Sequence, residues 1–309
     1  MSDTAPPTRP QLFLAGAPKA GTSALANFLA QDDRISVSSV KETNFLCPDL
    51  DLPRPRSEQE YLSLFKVSPR TRVLLDASIL YLYSKRAAEE IAAYCPNARI
   101  LVMLRNPIDA MYAWHGQMVY TGNEPLTRFE DALEAEADRK QGRRVPRHGA
   151  ASRCPELLFY REVMRYADQL ERFQRVFPAD RIQVLRFEAL ARSPSDVFHS
   201  ALRFAGLEPE KLPELRSVNA SQIRTAPGLH AWLKRHFAGV ARELLPLRLR
   251  LRMIKQIDRL TSRTSPRPPL AEATRAALVE ECRPDIKRLE RILGDDLRAW
   301  YEHVEAPTR

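Results

Sequence analysis

The chain has 309 residues, 28% of them charged, with a formal net charge of +9. That length gives one large α/β domain or about two smaller ones, and a core large enough to fold without disulfides. The basic balance suits an anionic cofactor, an acidic substrate or a membrane surface; neither zinc-finger spacing nor an RNA-recognition aromatic motif is present, which sets nucleic acid aside.

The four cysteines, Cys47, Cys95, Cys154 and Cys282, are widely spaced and form no C-x-x-C pair. They point neither to zinc nor to a disulfide framework. Met1 to Pro10 is polar, carries three prolines and lacks the apolar core of a signal peptide, so it reads as a flexible leader with the reduced cytoplasm as the default compartment. There is no run of about 18 apolar residues, which argues against a spanning helix.

Leu12 to Ala15 is a short apolar strand. It turns through Gly16-Ala17-Pro18-Lys19-Ala20-Gly21 into a helix beginning Thr22-Ser23. Strand, small-residue loop and helix together make an anion cradle, in which loop amides and the helix N-terminus supply positive potential. Gly21 lets the backbone approach a ligand, and Thr22 and Ser23 can cap the helix or bind an oxyanion. The spacing Gly16 to Gly21 invites comparison with the P-loop, but Thr22 stands where that motif has lysine, and the lysine sits inside the loop as Lys19. Pro18-Lys19-Ala20-Gly21-Thr22-Ser23 resembles the 5′-phosphosulfate loop of sulfotransferases that use 3′-phosphoadenosine-5′-phosphosulfate (PAPS).

Arg34 to Ser38 reads as a second short strand leading into Lys41-Glu42-Thr43-Asn44-Phe45-Leu46. Taken alone, Lys41 and Glu42 are an exposed ion pair of little energetic consequence. The segment is similar to the K-E-x-x-F-[FL] stretch of carbohydrate and bacterial sulfotransferases. That resemblance implies that Lys41 assists at the sulfonate and that Glu42 is the catalytic base. Asp49 to Ser57 is a proline-bearing loop, Glu58 to Phe65 a helix, and Arg72 to Asp76 a strand ending in a carboxylate. This ending keeps a nucleotide-hydrolase reading open. Asp76-Ala77-Ser78-Ile79-Leu80-Tyr81 also resembles the family's G-E-x-[ST]-P-x-Y segment without its proline, which makes Asp76 the reserve base. On its own, Asp76 reads as a cap or as a buried carboxylate satisfied by backbone donors.

Lys85 to Tyr94 has helical periodicity, and Arg99 to Leu104 is a continuous apolar run of the kind found in central parallel strands. Arg105 stands at its carboxyl end, where ligands bind in open α/β sheets, and Pro107 opens the next helix. The stretch from Leu104 to Trp114 resembles the family's 3′-phosphate motif. It implies that Arg105 forks onto that phosphate, and it carries Ala113 where the family has serine. His115 reads as a packed or surface histidine.

Glu124 to Arg147 is expected to be a charged helix with a loop over 141–150 that borders an acceptor site. Pro155 to Phe177 has the period of one long helix with Leu158, Phe159, Val163, Tyr166, Leu170, Phe173 and Val176 inward. Arg181 to Phe187 is a strand and Pro194 to Ala205 a helix. Ser217 to Thr225 resembles a C-terminal loop in which these families place a basic residue near the nucleotide, here Arg224. Residues 228–268 hold ten Lys/Arg against two acids, interleaved with apolar residues, which suits an anionic membrane surface or a solvated helix over the active site. Leu270 to Leu293 is a helix expected to kink or break at Pro284.

The resemblance covers about Leu12 to Trp300 and implies one α/β domain over 11–309: a P-loop-like parallel sheet flanked by helices, with a long helical C-terminal cover over 228–300. The implied activity is sulfuryl transfer from PAPS to a hydroxyl, less readily an amine, of a sugar, lipid, peptide or small phenol. Lys19, Lys41 and Glu42 are the catalytic candidates; Lys19, Ala20, Gly21, Thr22, Ser23, Arg105 and Arg224 are the nucleotide contacts. No metal is called for. The rival readings are a P-loop kinase or nucleotide hydrolase, and a non-catalytic basic membrane-surface or anion-binding protein.

Overall fold

The computed structural model describes residues 6–210, the backbone of 222–224 and 262–264, and residues 267–302. Its centre is a five-stranded sheet of β1 (Leu12–Gly16), β2 (Ile35–Val37), β3 (Val73–Asp76), β4 (Arg99–Leu104) and β5 (Ile182–Arg186), in the order β2-β3-β1-β4-β5. All four pairings are parallel. β1 and β4 are buried along their lengths, apart from the half-buried Arg99, as expected of strands covered on both faces. β1 therefore lies between β3 and β4, and the chain passes from one side of it to the other. The carboxyl ends of β1 and β4 meet at this reversal, where an open α/β sheet forms its ligand crevice.

The helices are α1 (Thr22–Leu29), α2 (Glu58–Leu62), α3 (Ala87–Tyr94), α4 (Pro107–Thr121), α5 (Phe129–Lys140), α6 (Tyr160–Val163), α7 (Tyr166–Gln174), α8 (Phe187–Arg192), α9 (Pro194–Phe204) and α10 (Glu272–Leu293). A short antiparallel pair, β6 (Gln222–Arg224) and β7 (Ser262–Thr264), stands apart from the main sheet. Among the described residues no helix is long and apolar enough to cross a membrane. Most of the basic stretch 228–268 lies outside the described residues.

One helical expectation changes and another is narrowed. The segment from Pro155 to Phe177 is divided into a 3-10 turn (Pro155–Leu158), α6 and α7. The inward set keeps its place, except that Val176 is only half buried. The side chain of Gln169 spans the break by donating to the carbonyls of Glu162 (2.9 Å) and Val163 (3.1 Å), the first of which also accepts from the Arg165 amide (3.1 Å). Conversely, α10 runs through Pro284 without ending. Leu278 before the proline and Ile286 and Leu289 after it are all buried in the core, so tertiary packing holds both halves in one helix against the local cost of the ring.

A buried charge pair ties α5 to the segment after α4. Arg139 forks onto Glu124 (2.7 and 2.8 Å), Tyr160 donates to the same carboxylate (2.7 Å), and both charged side chains are wholly buried. Removing one partner strands the other charge. Arg139→Met is expected to cost about 3–5 kcal/mol in urea unfolding; a loss under about 1 kcal/mol would show that water reaches Glu124.

Candidate active site

The loop after β1 makes the floor of the crevice. Gly21 is the N-cap of α1 at φ +89°, and a Cβ there would stand 3.0 Å from Leu190 and 3.1 Å from Phe187. The left-handed backbone favours glycine here, and any larger residue would also have to displace these two side chains by a few tenths of an ångström. The cap has no side-chain hydrogen bond, so neither Thr22 nor Ser23 caps the helix as the sequence allowed. Thr22 is buried, while the Ser23 hydroxyl accepts from Lys41 Nζ at 2.5 Å. The amides of Thr22 and Ser23 belong to the first turn of α1, whose donors have no intrahelical acceptor and can therefore serve an anion.

Lys19 also has positive φ, +62°. Its Nζ lies 3.3 Å from Gln117 Oε1 on α4. Burial, reinforced by the neighbouring charges of Arg267, Lys41 and Arg105 and opposed by Glu42, lowers its pKa to about 8. Four cations thus converge on one end of β1 and β4, a field that an anion relieves.

Arg105 follows β4. Its Nη1 donates to the Lys19 carbonyl (3.4 Å) and its guanidinium lies over the Phe187 ring at 4.5 Å. The fork is thereby oriented before any ligand arrives. Asn106 caps α4 by accepting from the amides of Ile108 (3.0 Å) and Asp109 (3.4 Å), and donates to the Trp300 carbonyl at 3.2 Å. Arg275 of α10 binds Asp109 at 2.6 Å, so the C-terminal helix braces the start of α4.

Lys41 and Glu42 approach across the loop, their charged groups 3.4 Å apart and both partly exposed. Glu42 has φ +62° and Asn44 +52°, conformations costing about 1–2 kcal/mol for residues with a Cβ. The Glu42 amide donates to the Ala77 carbonyl (3.2 Å), fastening this turn to the end of β3.

Asp76 does not open onto the crevice. It is wholly buried and accepts from four side-chain hydroxyls, those of Thr43, Tyr61, Ser78 and Tyr81, in place of the backbone donors that the sequence suggested. Burial raises its pKa against the pull of those donors. A carboxylate so enclosed cannot reach an acceptor. His115 is packed, with its Nε2 2.8 Å from the Leu126 carbonyl and its ring against Phe129 and Tyr160; burial lowers its pKa.

The structure therefore brings together Lys19, Ala20, Gly21, Thr22, Ser23, Lys41, Glu42 and Arg105. The side chain of Arg224 lies outside the described residues. Sequence reasoning missed Gln117 and Arg267. Gln117 is one turn beyond Ala113 on α4, and that i+4 spacing was the available signal. Arg267 lay within the basic stretch 228–268 and had no motif of its own. It stacks over Tyr112 at 5.1 Å and runs along Gly116, where a Cβ would sit 2.9 Å from its Nη2.

A parallel sheet with a glycine-bearing loop after β1, a strand-end arginine and a cluster of cations is the architecture of an α/β protein that handles an anionic group. Residues 9–224 match the sulfotransferase domain, and the chain belongs to the sulfotransferase family. It is 24% identical over 240 residues to the bifunctional heparan sulfate N-deacetylase/N-sulfotransferase 1 of Caenorhabditis briggsae, covering 72% of this chain and 25% of that protein. With the Mus musculus protein of the same name the identity is 26% over 207 residues, covering 64% and 22%. The chain thus spans about a quarter of the length of these curated relatives. A crystal structure of a sulfotransferase from Alicyclobacillus acidocaldarius aligns with a TM-score of 0.71 at 25% identity, covering 95% of this chain and 99% of that one.

Proposed function

We propose that the protein transfers a sulfuryl group from PAPS to an acceptor hydroxyl or amine and releases adenosine 3′,5′-bisphosphate. The observation that carries this reading is the convergence of Lys19, Lys41, Arg105 and Arg267 on the loop of Gly21, with Glu42 facing them. The uncapped first turn of α1, entered through the left-handed Gly21, suits the 5′-phosphosulfate. Arg105 suits the 3′-phosphate. Glu42 takes the proton from the acceptor as its oxygen or nitrogen bonds to sulfur. The bond from sulfur to the phosphate oxygen breaks, and Lys19 neutralises the charge left on that oxygen. In-line placement supplies the remainder, as in phosphoryl transfer. The heparan sulfate relatives bring an amino sugar into the acceptor class, beside hydroxyl compounds.

Binding of adenosine 3′,5′-bisphosphate, ATP with Mg²⁺ and anionic vesicles, compared by thermal shift, tests the donor. Only the first should stabilise, by about 2.7 kcal/mol at 100 times its Kd. Stabilisation by ATP with Mg²⁺ alone would favour a kinase or hydrolase, and by vesicles alone a surface protein. Mass spectrometry of N-desulfated heparin, lipids, peptides and phenols incubated with PAPS then identifies the acceptor.

Arg105→Ala is expected to weaken adenosine 3′,5′-bisphosphate by about 1.5–3 kcal/mol, the scale of a charged hydrogen bond. Adenosine 5′-phosphosulfate, which lacks the 3′-phosphate, should bind nearly as before. Equal losses for both ligands in calorimetry would move Arg105 away from the 3′-phosphate.

Arg267 lies beside the α4 turn that carries Ala113, where the family's phosphate motif has serine. Its guanidinium stands in for that hydroxyl in this reading. Arg267→Ala should weaken the bisphosphate about 10-fold or more, and adding Ala113→Ser should recover part of the loss. Unchanged affinity in the single variant would remove Arg267 from the site.

A further inference from the structure

Asp76 is a charged group with a fully buried side chain and, among the described residues, only neutral hydroxyl partners. Its Oδ2 accepts from Thr43 Oγ1 (2.8 Å), Tyr61 OH (2.7 Å) and Tyr81 OH (2.8 Å), and its Oδ1 accepts from Ser78 Oγ (2.7 Å). These hydroxyls come from α2, from the loop after β3 and from the Lys41–Glu42 turn, so one carboxylate joins three parts of the chain.

Their second hydrogen bonds show what the cluster holds. Ser78 Oγ accepts from the Asn44 amide (3.2 Å), Tyr81 OH from the Leu46 amide (3.2 Å), and Thr43 Oγ1 from the Phe45 amide (3.4 Å). A hydroxyl has one proton and two lone pairs. A carboxylate only accepts, so each hydroxyl spends its proton on Asp76, and those of Thr43, Ser78 and Tyr81 turn lone pairs toward those amides. An amide side chain at position 76 would bring its own donors and compete for the same lone pairs. The amides held in this way are the three that follow Thr43, which itself is tied to Asp76 and lies between Glu42 and Asn44, both with positive φ. Backbone in such conformations persists where its surroundings fix it; the Ala77 carbonyl holds the Glu42 amide, and the hydroxyls that hold the residues after it meet at Asp76.

The geometry points to Asp76 as a positioning residue that, through Thr43, Ser78 and Tyr81, holds the turn carrying Glu42 against the Lys19–Lys41 cradle for proton removal from the acceptor. This rests on the reading of Glu42 as the base. Asp76 touches neither donor nor acceptor; it sets where the proton acceptor stands. A misplacement of about 1 Å can cost about 100-fold in rate.

The test uses the full chain with PAPS and N-desulfated heparin. Thr43→Val, which removes one spoke of the cluster, should lower kcat about 10–100-fold while leaving KM for PAPS and bisphosphate affinity within about twofold. Thr43→Ser, which restores the hydroxyl, should recover kcat. In the Glu42→Gln background Thr43→Val should add no further loss, because the two act through one group. Hydrogen exchange of amides 42–46 in the bisphosphate-bound protein should rise in Thr43→Val, a readout that needs no turnover. Tyr81→Phe gives the same comparison should Thr43→Val not fold. Wild-type kcat with a lowered Tm, unchanged exchange, or a full additional loss in the Glu42→Gln background would each overturn the proposal. Full turnover of Glu42→Gln by itself would instead overturn the assignment of the base.

Discussion

Glu42→Gln is expected to lose about 10²–10⁴ of turnover, the range of a lost general base, and to keep adenosine 3′,5′-bisphosphate binding. The acceptor hydroxyl or amine must give up a proton as its bond to sulfur forms. Glu42 is the carboxylate that faces the cradle, whereas Asp76 is enclosed by four hydroxyls and His115 is packed between Phe129 and Tyr160. Glutamine keeps the size and hydrogen bonding of the side chain but cannot accept the proton. Turnover and bisphosphate binding measured side by side check the point; a Glu42→Gln enzyme near wild type would place the base elsewhere.

Lys19→Ala is expected to cut turnover by about 10²–10³, comparable to removing one preorganised transition-state donor, with a smaller effect on nucleotide affinity. The structure adds a pH dependence. Burial, then the charges of Arg267, Lys41 and Arg105, lower the Lys19 pKa from 10.5 to about 8. In the free protein the unfolded chain then holds a proton between pH 8 and 10.5 that the folded chain releases. This group therefore costs stability below pH 8, and the cost is relieved as pH rises through that window. A bound anion reverses the local balance and favours the charged ammonium. Bisphosphate affinity should fall as pH rises through about 8 in the wild type, and the dependence should flatten in Lys19→Ala. Calorimetry across pH 7 to 9.5 measures both; wild-type turnover in Lys19→Ala, or an unaltered pH dependence, would remove Lys19 from its assigned role.

Bringing Ala113→Ser, Arg267→Ala and Arg105→Ala into one binding series separates two features of the nucleotide site. Arg105 is ordered by contacts near it in the fold, the Lys19 carbonyl and the Phe187 ring. Arg267 comes from far along the chain and gains its place through Tyr112 and Gly116.

The sequence alone determined the parallel strands, the cradle after β1 and the arginine after β4. These are local facts: Leu12–Gly16 and Arg99–Leu104 are apolar enough to be buried strands, and Gly21 and Pro107 fix the backbone where each strand gives way to a helix. Motif order supplied Lys41 and Glu42 by resemblance. What the tertiary structure decided was of two kinds. Where packing outweighs propensity, the structure chose what the sequence could not: of the kink or break expected at Pro284 the break is excluded, because the residues on both sides are buried, and the Pro155–Phe177 period divides into a 3-10 turn and two helices bridged by Gln169. Where partners lie far apart in the chain, the sequence was silent. Tyr61 and Asp76 meet across 15 residues, Thr43 and Asp76 across 33, and Lys19 and Gln117 across 98. No helical or strand period links such positions, so the role of a buried carboxylate, or of a lysine with a lowered pKa, became legible only once the sheet had brought them together.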